Sequence, residues 1–408
     1  MNILIVTQYF WPESFRINDL AAGLVERRHR VTVLTGLPNY PGGKFFDGYG
    51  YGGPGRETYR GVQVMRVPVL PRGAGGGFRL ALNYLTFALA ATVLAPFKCR
   101  GDFDCILVYE PSPITVGIPA LLLRRLKRAP LLFWVQDLWP ESLSATGAVR
   151  STAILRLVAS LVRFIYRRSD RILIQSRAFA PPITALGADP SVIRYFPNSA
   201  ETIYQPAGRA PEAGLEPGLP PGFRVMFAGN IGAAQDFETI LAAATLLKEQ
   251  TAIQWLILGD GRSRPWVEQE IAARGLRATV HLLGHFATAA MPRFFARADA
   301  LLVTLKKEPI FALTLPAKVQ SYLACAKPII AALDGEGARV VTEAGAGVAV
   351  GAGDPAALAN AVLTLARLSA DERQAMGERG RRYFEQHFER EMLLSRLENW
   401  MNELKPAA

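Results

Sequence analysis

Two doubly wound α/β domains joined by a hinge are predicted for this 408-residue chain by three observations. Short apolar runs recur along both halves, separated by helix-length segments, the pattern of parallel strands with crossover helices. The stretch from Ala200 to Gly222 holds Pro206, Pro211, Pro217, Pro220 and Pro221 with no apolar periodicity. Loops rich in glycine and polar residues follow the runs, where open α/β sheets bind ligands.

In the first half the runs are Ile3 to Val6, Val31 to Leu34, Val62 to Val67, Cys105 to Val108, Leu131 to Val135 and Ile172 to Ile174. In the second they are Val225 to Phe227, Trp255 to Leu258, Val280 to Leu283, Ala300 to Val303, Pro328 to Ala331 and Val348 to Val350. Residues 1–200 and 223–380 therefore read as two Rossmann-like domains and residues 201–222 as a linker. The cleft facing the carboxyl ends of both sets of strands is the expected ligand site. A last helical stretch runs from about Pro355 to Leu404, and residues 381–408 are expected to form a C-terminal helix that packs back on the first domain.

Leu80 to Phe97 is 18 residues without a charge, bracketed by Arg79 and Lys98. It reaches the length at which a spanning helix becomes a candidate. A span would put strands of one parallel sheet on opposite sides of a bilayer, so a buried or partly membrane-dipping helix is expected, which Asn83 and Pro96 also favour. In the run Ser151 to Arg168, Arg156, Arg163 and Arg167 share one helical face, and Leu157, Leu161, Phe164 and Ile165 supply an apolar one. Arg124, Arg125, Lys127 and Arg128 form a second basic cluster. Both admit two readings, a solvated face or an interfacial one.

The charge is unevenly spread. Residues 1 to 200 carry 24 basic and 12 acidic side chains, and residues 201 to 408 carry 22 and 23. The net +11 thus sits in the first half and calls for an acidic partner: a phosphate-rich ligand, an anionic lipid surface or a nucleic acid. The arginines interleave with Leu, Val, Phe and Ile rather than with base-stacking aromatics, which argues against nucleic acid. Cys99, Cys105 and Cys325 form no CxxC pair, which fits a reducing compartment. The four histidines show no metal-binding spacing. MNILIVTQYF opens as a strand rather than a signal peptide, so a cytoplasmic location is expected.

GxGxxG, GxxxxGK[ST] and GxSxG are all absent, which removes the nicotinamide fingerprint, the P-loop and the acyl-transfer elbow. Asp102 and Asp104 form the one DxD, beside a strand, and read as a turn rather than a metal site; no metal is expected. What remains are polar residues at strand ends: Glu13, Arg16 and Asn18; Glu110 with Ser112; and Gln136, Asp137, Trp139 and Glu141. WVQDLWPES offers two readings, carboxylates that orient a hydroxyl or an N-cap and turn. In the second half Gly229, Asn230 and Gly232 form one loop and Asp260, Gly261 and Arg262 another, where glycines let a backbone approach a diphosphate. A third loop has Lys306 and Lys307, then Pro316 and Lys318 at a helix start.

Taken together, QYFWPE, FWVQDLWPESLSATG, FAGNIG, LGDG, LLGHF and LPAKVQSYLACAKPIIAALDGEGARV resemble the GT-B-fold family 4 glycosyltransferases over essentially the whole chain. The resemblance is strongest to the branch of L-fucosamine and related sugar transferases of O-antigen, capsule and exopolysaccharide assembly. It implies a nucleotide-sugar donor, commonly UDP-linked, and a polyprenyl-diphosphate-linked saccharide acceptor at the inner face of the cytoplasmic membrane, without a metal or other cofactor. The sugar implied is an N-acetylated deoxyhexosamine such as L-FucNAc. By the same resemblance the second domain holds the donor, the base near His285 and Phe286, the diphosphate near Asn230 and the Leu315 to Lys318 helix start, the ribose near Ser321. The first domain holds the acceptor, with Arg16, Glu110, Gln136, Trp139 and Glu141 facing it and Glu13 and Asp137 as catalytic candidates. The sequence departs from the family where Leu313 and Ser321 replace a Glu-x7-Glu pair and where Asn230 and Gln235 replace an Arg and a Lys. Lys307 and Lys318 are then the available phosphate-binding cations. In a retaining transferase the leaving phosphate itself can take the acceptor proton; Asp137 is the first candidate if a side chain does. A nucleotide-sugar 2-epimerase of the same layout and a basic nucleic-acid-binding protein are the rival readings.

Overall fold

The computed structural model describes all residues except 74–76, 146–148, 150, 208–217 and 406–408. The middle of the expected linker, with Pro211 and Pro217, lies outside the described residues. The chain divides into two compact units, one of Met1–Pro197 with Glu391–Ala408 and one of Asn198–Arg390.

The first unit runs β1 (Asn2–Val6), α1 (Arg16–Glu26), β2 (Arg30–Gly36), β3 (Arg56–Tyr59), β4 (Val62–Val67), α2 (Gly77–Lys98), β5 (Cys105–Glu110), α3 (Gly117–Lys127), β6 (Leu131–Val135), α4 (Glu141–Ala145), α5 (Thr152–Tyr166), β7 (Arg171–Ile174), α6 (Ala180–Ala185) and β8 (Ile193–Tyr195). The sheet order is β3-β4-β2-β1-β5-β6-β7-β8, parallel except for β3 on β4. Central strands such as Leu131–Val135 are buried throughout, which is why they read as unbroken apolar runs. α1 buries Ile17, Leu20, Ala21 and Leu24, one stripe at i, i+3, i+4, i+7. β3 escapes a search for apolar runs because RETY is polar; it is an edge strand whose Glu57 pairs with the buried Arg66 of β4.

The second unit runs β9 (Phe223–Ala228), α7 (Phe237–Leu246), β10 (Ile253–Leu258), α8 (Arg264–Ala273), β11 (Val280–Gly284), α9 (Met291–Arg297), β12 (Ala300–Thr304), α10 (Pro309–Leu313), α11 (Ala317–Ala324), β13 (Ile329–Ala332), α12 (Glu336–Glu343), β14 (Gly347–Val350), α13 (Pro355–Arg367) and α14 (Ala370–His387). Its order, β11-β10-β9-β12-β13-β14, is the 3-2-1-4-5-6 arrangement of a dinucleotide-binding sheet, with the reversal of strand order between β9 and β12.

The expected single C-terminal stretch is three helices. Asp354 caps α13 through the Ala357 N–H, and Ser369 with Glu372 forms a capping box that starts α14. The return to the first unit is made by α15 (Arg390–Glu403), so it begins at about 390 rather than 381. α15 buries Leu393, Leu394, Leu397 and Met401 in the first unit's core. Arg27 fastens it there, reaching Glu398 at 2.5 Å, Glu391 at 2.8 Å and Ser395 at 3.0 Å.

α2 divides lengthwise. Asn83, Phe87, Ala88, Ala91 and Ala95 are buried, while Phe78, Leu85, Leu89, Val93 and Phe97 are each more than half exposed. Asn83 explains the inward face: its amide donates to the Leu70 carbonyl (2.6 Å) and accepts from Gln8 (2.7 Å). An uncharged run of 18 residues is thus a half-buried helix of the first unit, with an apolar stripe facing outward.

Candidate active site

The second unit's site is built from loops at the carboxyl ends of β9, β10 and β12. Gly229 leaves β9 with φ +139 and Gly259 leaves β10 with φ +141. A Cβ on Gly259 would lie 1.8 Å from the Gly229 carbonyl oxygen, so only glycine lets these two loops touch. The Ile231 N–H donates to the Asp260 carbonyl (2.8 Å), the Gly259 N–H to that of Gly284 (2.7 Å) and the Lys306 N–H to that of Ala234 (2.9 Å). Asn230 lies between Gly232 and Gly261, whose missing side chains make room for its amide.

Lys318 points into this loop. A Cβ on Gly229 would meet its Nζ at 2.8 Å, and Nζ stands 3.6 Å from the centroid of the Phe227 ring. The stem keeps some exposure, but Nζ is out of solvent and has no hydrogen-bond partner. Burial accordingly pulls the amine down to about 7. The start of α11 beside it, with Pro316 as N-cap, has no side-chain cap. A buried, unpartnered amine, a bare helix start and a glycine turn together make a place for an anion.

The other donor candidates fare differently. Asn230, Arg262, His285 and Lys307 are exposed. Phe286 packs on Phe294 at 4.5 Å. One Asp260 carboxylate oxygen accepts the Gly261 N–H at 2.7 Å, which fixes its own turn. The Lys307 stem lies near Gly353, after β14. Leu315 is core, 2% exposed, and can reach a ligand only through its backbone. Ser321 is buried and its hydroxyl donates to the Ala317 carbonyl at 3.3 Å, a bond that competes with a ribose contact. Gln235, standing where the family has a cation, closes the loop instead: with its amide oriented to satisfy both atoms it donates to the Gly232 and Asn230 carbonyls at 3.3 Å.

In the first unit the reversal of strand order falls between β1 and β5. Glu13 stands after β1. It is 1% exposed, with one oxygen accepting the N–H groups of Asn39 and Tyr40 at 2.8 Å and the other that of Phe10 at 3.2 Å. It ties the loops after β1 and β2 together, and burial lifts its carboxyl to about 7 despite those donors. Asn18 braces the same turn through the Trp11 N–H and the Glu13 carbonyl.

Glu110, the last residue of β5, is fully buried, and Asp137, just past β6, keeps part of its surface open. Burial raises the Asp137 carboxyl to about 7. Ser112 stands beside Asp137 and Tyr84 of α2. Trp139 is buried, edge-on to Tyr84 at 6.4 Å. Gln136 donates its N–H to the Glu110 carbonyl at 3.1 Å. Arg16 begins α1 within electrostatic reach of Tyr109, and Glu141 begins α4 near Tyr166. The QDLWPES segment therefore brings acids, an indole and an amide to one set of strand ends.

Sequence reasoning missed several polar residues around this group. Gln8, Asn39 and Asn83 form a buried chain, and Arg72 lies over the Tyr40 ring at 4.9 Å. The one available signal was Asn83, a lone amide in an apolar helix. In the second unit Glu336 was missed: it is 4% exposed, follows β13 and pairs with Arg339 at 2.8 Å. Asp104 of the Asp102–Asp104 pair accepts the Asn2 N–H at 2.6 Å and pairs with Lys405 at 3.4 Å.

Comparison with known proteins follows the same division. A glycosyl transferase 4-like domain model matches residues 14–199, and a glycosyl transferases group 1 model matches residues 222–367. A Pseudomonas aeruginosa protein named a probable glycosyltransferase, WbjE, is 30% identical over 270 residues, 64% of this chain and 66% of its own length. The Escherichia coli K12 protein WcaI, named for colanic acid biosynthesis, is 24% identical over 336 residues, 79% of this chain and 81% of its own. Among solved structures, Anabaena HepE in complex with UDP superposes with a TM-score of 0.70 at 14% identity, covering 99% of this chain and 100% of that one. The Burkholderia vietnamiensis α,α-trehalose-phosphate synthase does so at 0.73 and 16%, covering 98% and 96%. With both units matched by glycosyl transferase models and the whole fold shared, this chain belongs to the GT-B family 4 glycosyltransferases.

Proposed function

We propose that the protein transfers a sugar, an N-acetylated deoxyhexosamine such as L-FucNAc, from a UDP-linked donor to a polyprenyl-diphosphate-linked saccharide, with retention and without a metal. The observation that carries this reading is the Lys318 amine, buried without a partner against the Gly229 turn and the uncapped start of α11. Breaking an anomeric C–O bond leaves charge on a diphosphate, and a fixed cation with backbone N–H groups stabilises that charge as it develops. The UDP and UDP-glucose held by Anabaena HepE support the choice of donor.

The acceptor half rests on the first unit, where Asp137 is the open carboxylate that receives the acceptor hydroxyl. Lipid linkage is supported by the outward apolar stripe of α2 and by α5, where Leu157 is 70% exposed among Arg156 and Arg163. Such a surface suits an anionic interface, apolar residues below the headgroups and arginines among them, and supports a peripheral location on the cytoplasmic face of the membrane. The test is a screen of UDP-, GDP- and dTDP-sugars for protection against unfolding, followed by incubation of the protective sugar with lipid-linked saccharide. Transfer that requires acceptor supports the reading; conversion of the nucleotide sugar without acceptor replaces it with an epimerase.

A further inference from the structure

A groove of about 440 Å³ lies between α2 and the segment that leaves β4, with Leu70 and Tyr51 on one side and Leu89, Ala90, Val93 and Leu94 of α2 on the other. The polar groups bordering it are already satisfied. The Thr86 hydroxyl donates to the Leu82 carbonyl at 2.7 Å and accepts the Leu70 N–H at 3.1 Å, and the Tyr51 hydroxyl donates to the Val69 carbonyl at 3.2 Å. The groove therefore offers an occupant apolar walls and no hydrogen bond. From Thr86 to Leu94 it follows α2 for about 12 Å, at 1.5 Å per residue. At the Thr86 end the buried amides lay the next residues along the helix: Asn83 donates to the Leu70 carbonyl at 2.6 Å, and Asn39 accepts the Arg72 N–H at 3.1 Å and the Asn83 amide at 3.4 Å. Two cations meet there. Arg79 of α2 lies on Gly73, where a Cβ would stand 3.0 Å from its Nη1. The Arg72 guanidinium lies 4.9 Å from the centroid of the Tyr40 ring and donates to the Tyr9 hydroxyl at 3.3 Å. Among the described residues neither arginine pairs with a carboxylate. Tyr9 stands beside Tyr84, and Tyr84 is edge-on to Trp139 at 6.4 Å, so a run of neighbours leads from the groove through the arginines to the strand ends that hold Asp137.

We propose that this groove and the two arginines form a subsite for a single isoprenoid diphosphate: the chain lies along α2 against Leu70, Leu89, Ala90, Val93 and Leu94, and its diphosphate meets Arg72 and Arg79. This rests on the glycosyltransferase reading above and adds a site within the first unit that grips one lipid, in place of adsorption to a bilayer alone. Leu70, Leu89 and Val93 are exposed, so a chain laid on them takes apolar surface of both partners out of water. A guanidinium matches two oxygens of a phosphate at once, and two of them without carboxylate partners match a diphosphate. The order of the parts, apolar groove, cations, then the strand ends with Asp137, is the order of the parts of a lipid-linked saccharide: chain, diphosphate, sugar. A second copy of the protein fits less well, because it would set the basic first unit against itself. Such a subsite makes the lipid part of what is recognised, so a saccharide without it binds more weakly even when its sugars are the right ones.

The test titrates the full-length protein with inorganic diphosphate, geranyl diphosphate and farnesyl diphosphate by calorimetry, with UDP in excess to occupy the second unit. Affinity is expected to rise with chain length, farnesyl diphosphate binding about 10-fold or more tighter than inorganic diphosphate, which burial of even a few CH2 groups supplies. Ala90→Trp, which fills the groove, should cancel that gain and leave inorganic diphosphate unchanged; Arg79→Glu should weaken all three ligands. Should Ala90→Trp not fold, Leu89→Gln with Val93→Gln, both on exposed positions, should reduce the gain instead. Affinity that does not grow with chain length, or a gain untouched by the groove variants, overturns the proposal. Inorganic diphosphate binding that is the same in Arg79→Glu and Arg72→Gln as in wild type overturns the placement of the diphosphate. Self-association of the protein that Ala90→Trp abolishes also overturns it, by giving the groove to a second copy. No sugar is transferred in these titrations, so their failure leaves the glycosyltransferase reading standing, while a protein that binds farnesyl diphosphate as expected but transfers no sugar loses that reading and keeps the lipid subsite.

Discussion

Replacing Lys318 by Met should stabilise the ligand-free protein and abolish its pH-dependent grip on UDP. The amine is drawn from its ordinary 10.5 to about 7 by burial, and at about 1.36 kcal/mol per pH unit that is a burden of ~4–5 kcal/mol once the group must be charged. Because the folded state prefers the neutral amine, this burden is absent above pH 10.5, grows as pH falls and is complete below about 7. Met keeps the stem against Phe227 without the charge, so the variant should unfold at higher temperature at pH 6 and match wild type near pH 10. A diphosphate reverses the preference, since an anion beside the amine favours its protonation. UDP binding at pH 8 should therefore take up close to one proton, read as a buffer-dependent enthalpy in calorimetry, and tighten as pH falls towards 7. In Lys318→Met the proton uptake should vanish, and transfer should drop about 100- to 1,000-fold, typical of losing one charge-stabilising donor. Proton uptake that survives the substitution, or unchanged turnover, refutes the placement of Lys318 at the diphosphate.

Other expectations follow from particular contacts. Glu13→Ala should cost about 3 kcal/mol or more in urea unfolding, because the N–H groups of Phe10, Asn39 and Tyr40 lose their acceptor inside the protein; a loss under 1 kcal/mol would show the loops held by something else. Gly259→Ala should disrupt the loop pair, since its Cβ would meet the Gly229 carbonyl at 1.8 Å; wild-type UDP protection in that variant would contradict the site as built. Arg27→Ala should lower stability by roughly 1 kcal/mol, given that its partners Glu391 and Glu398 keep solvent access, and amide exchange should rise first in α15. Leu85→Asp with Leu89→Asp should abolish retention by vesicles of anionic lipid at low salt while leaving Tm unchanged; retention unaffected by the pair would remove α2 from the membrane surface.

What was legible in the sequence was whatever repeats with a period. LLFWV and IQWLIL are buried strands in any parallel sheet, and twelve apolar runs became twelve strands. β3 and β8 were missed because RETY and IRY are short edge strands held by their neighbours rather than by their own apolar character. The glycine loops were legible as loops, but not which glycine admits which neighbour: Gly261 makes room for Asn230, and Gly229 for Lys318. Glu13 shows the same limit from the other side. Nothing in the sequence around that carboxylate shows that three backbone donors surround it. Burial of a charge depends on every element around it, so the difference between Glu13, Glu110 and Asp137 appears only once the sheet brings β1, β5 and β6 together. The +12 of residues 1 to 200 was legible as a number, and α2 and α5 give it apolar neighbours.

The central claim, a nucleotide-sugar donor used on an acceptor, is tested most directly by following UDP release and sugar transfer in one vessel. With the protective UDP-sugar and a polyprenyl-diphosphate-linked saccharide, one UDP should appear for each sugar added to the lipid, and none should accumulate rapidly without lipid. UDP release at the same rate with and without acceptor, or no turnover of any UDP-, GDP- or dTDP-sugar, would contradict it.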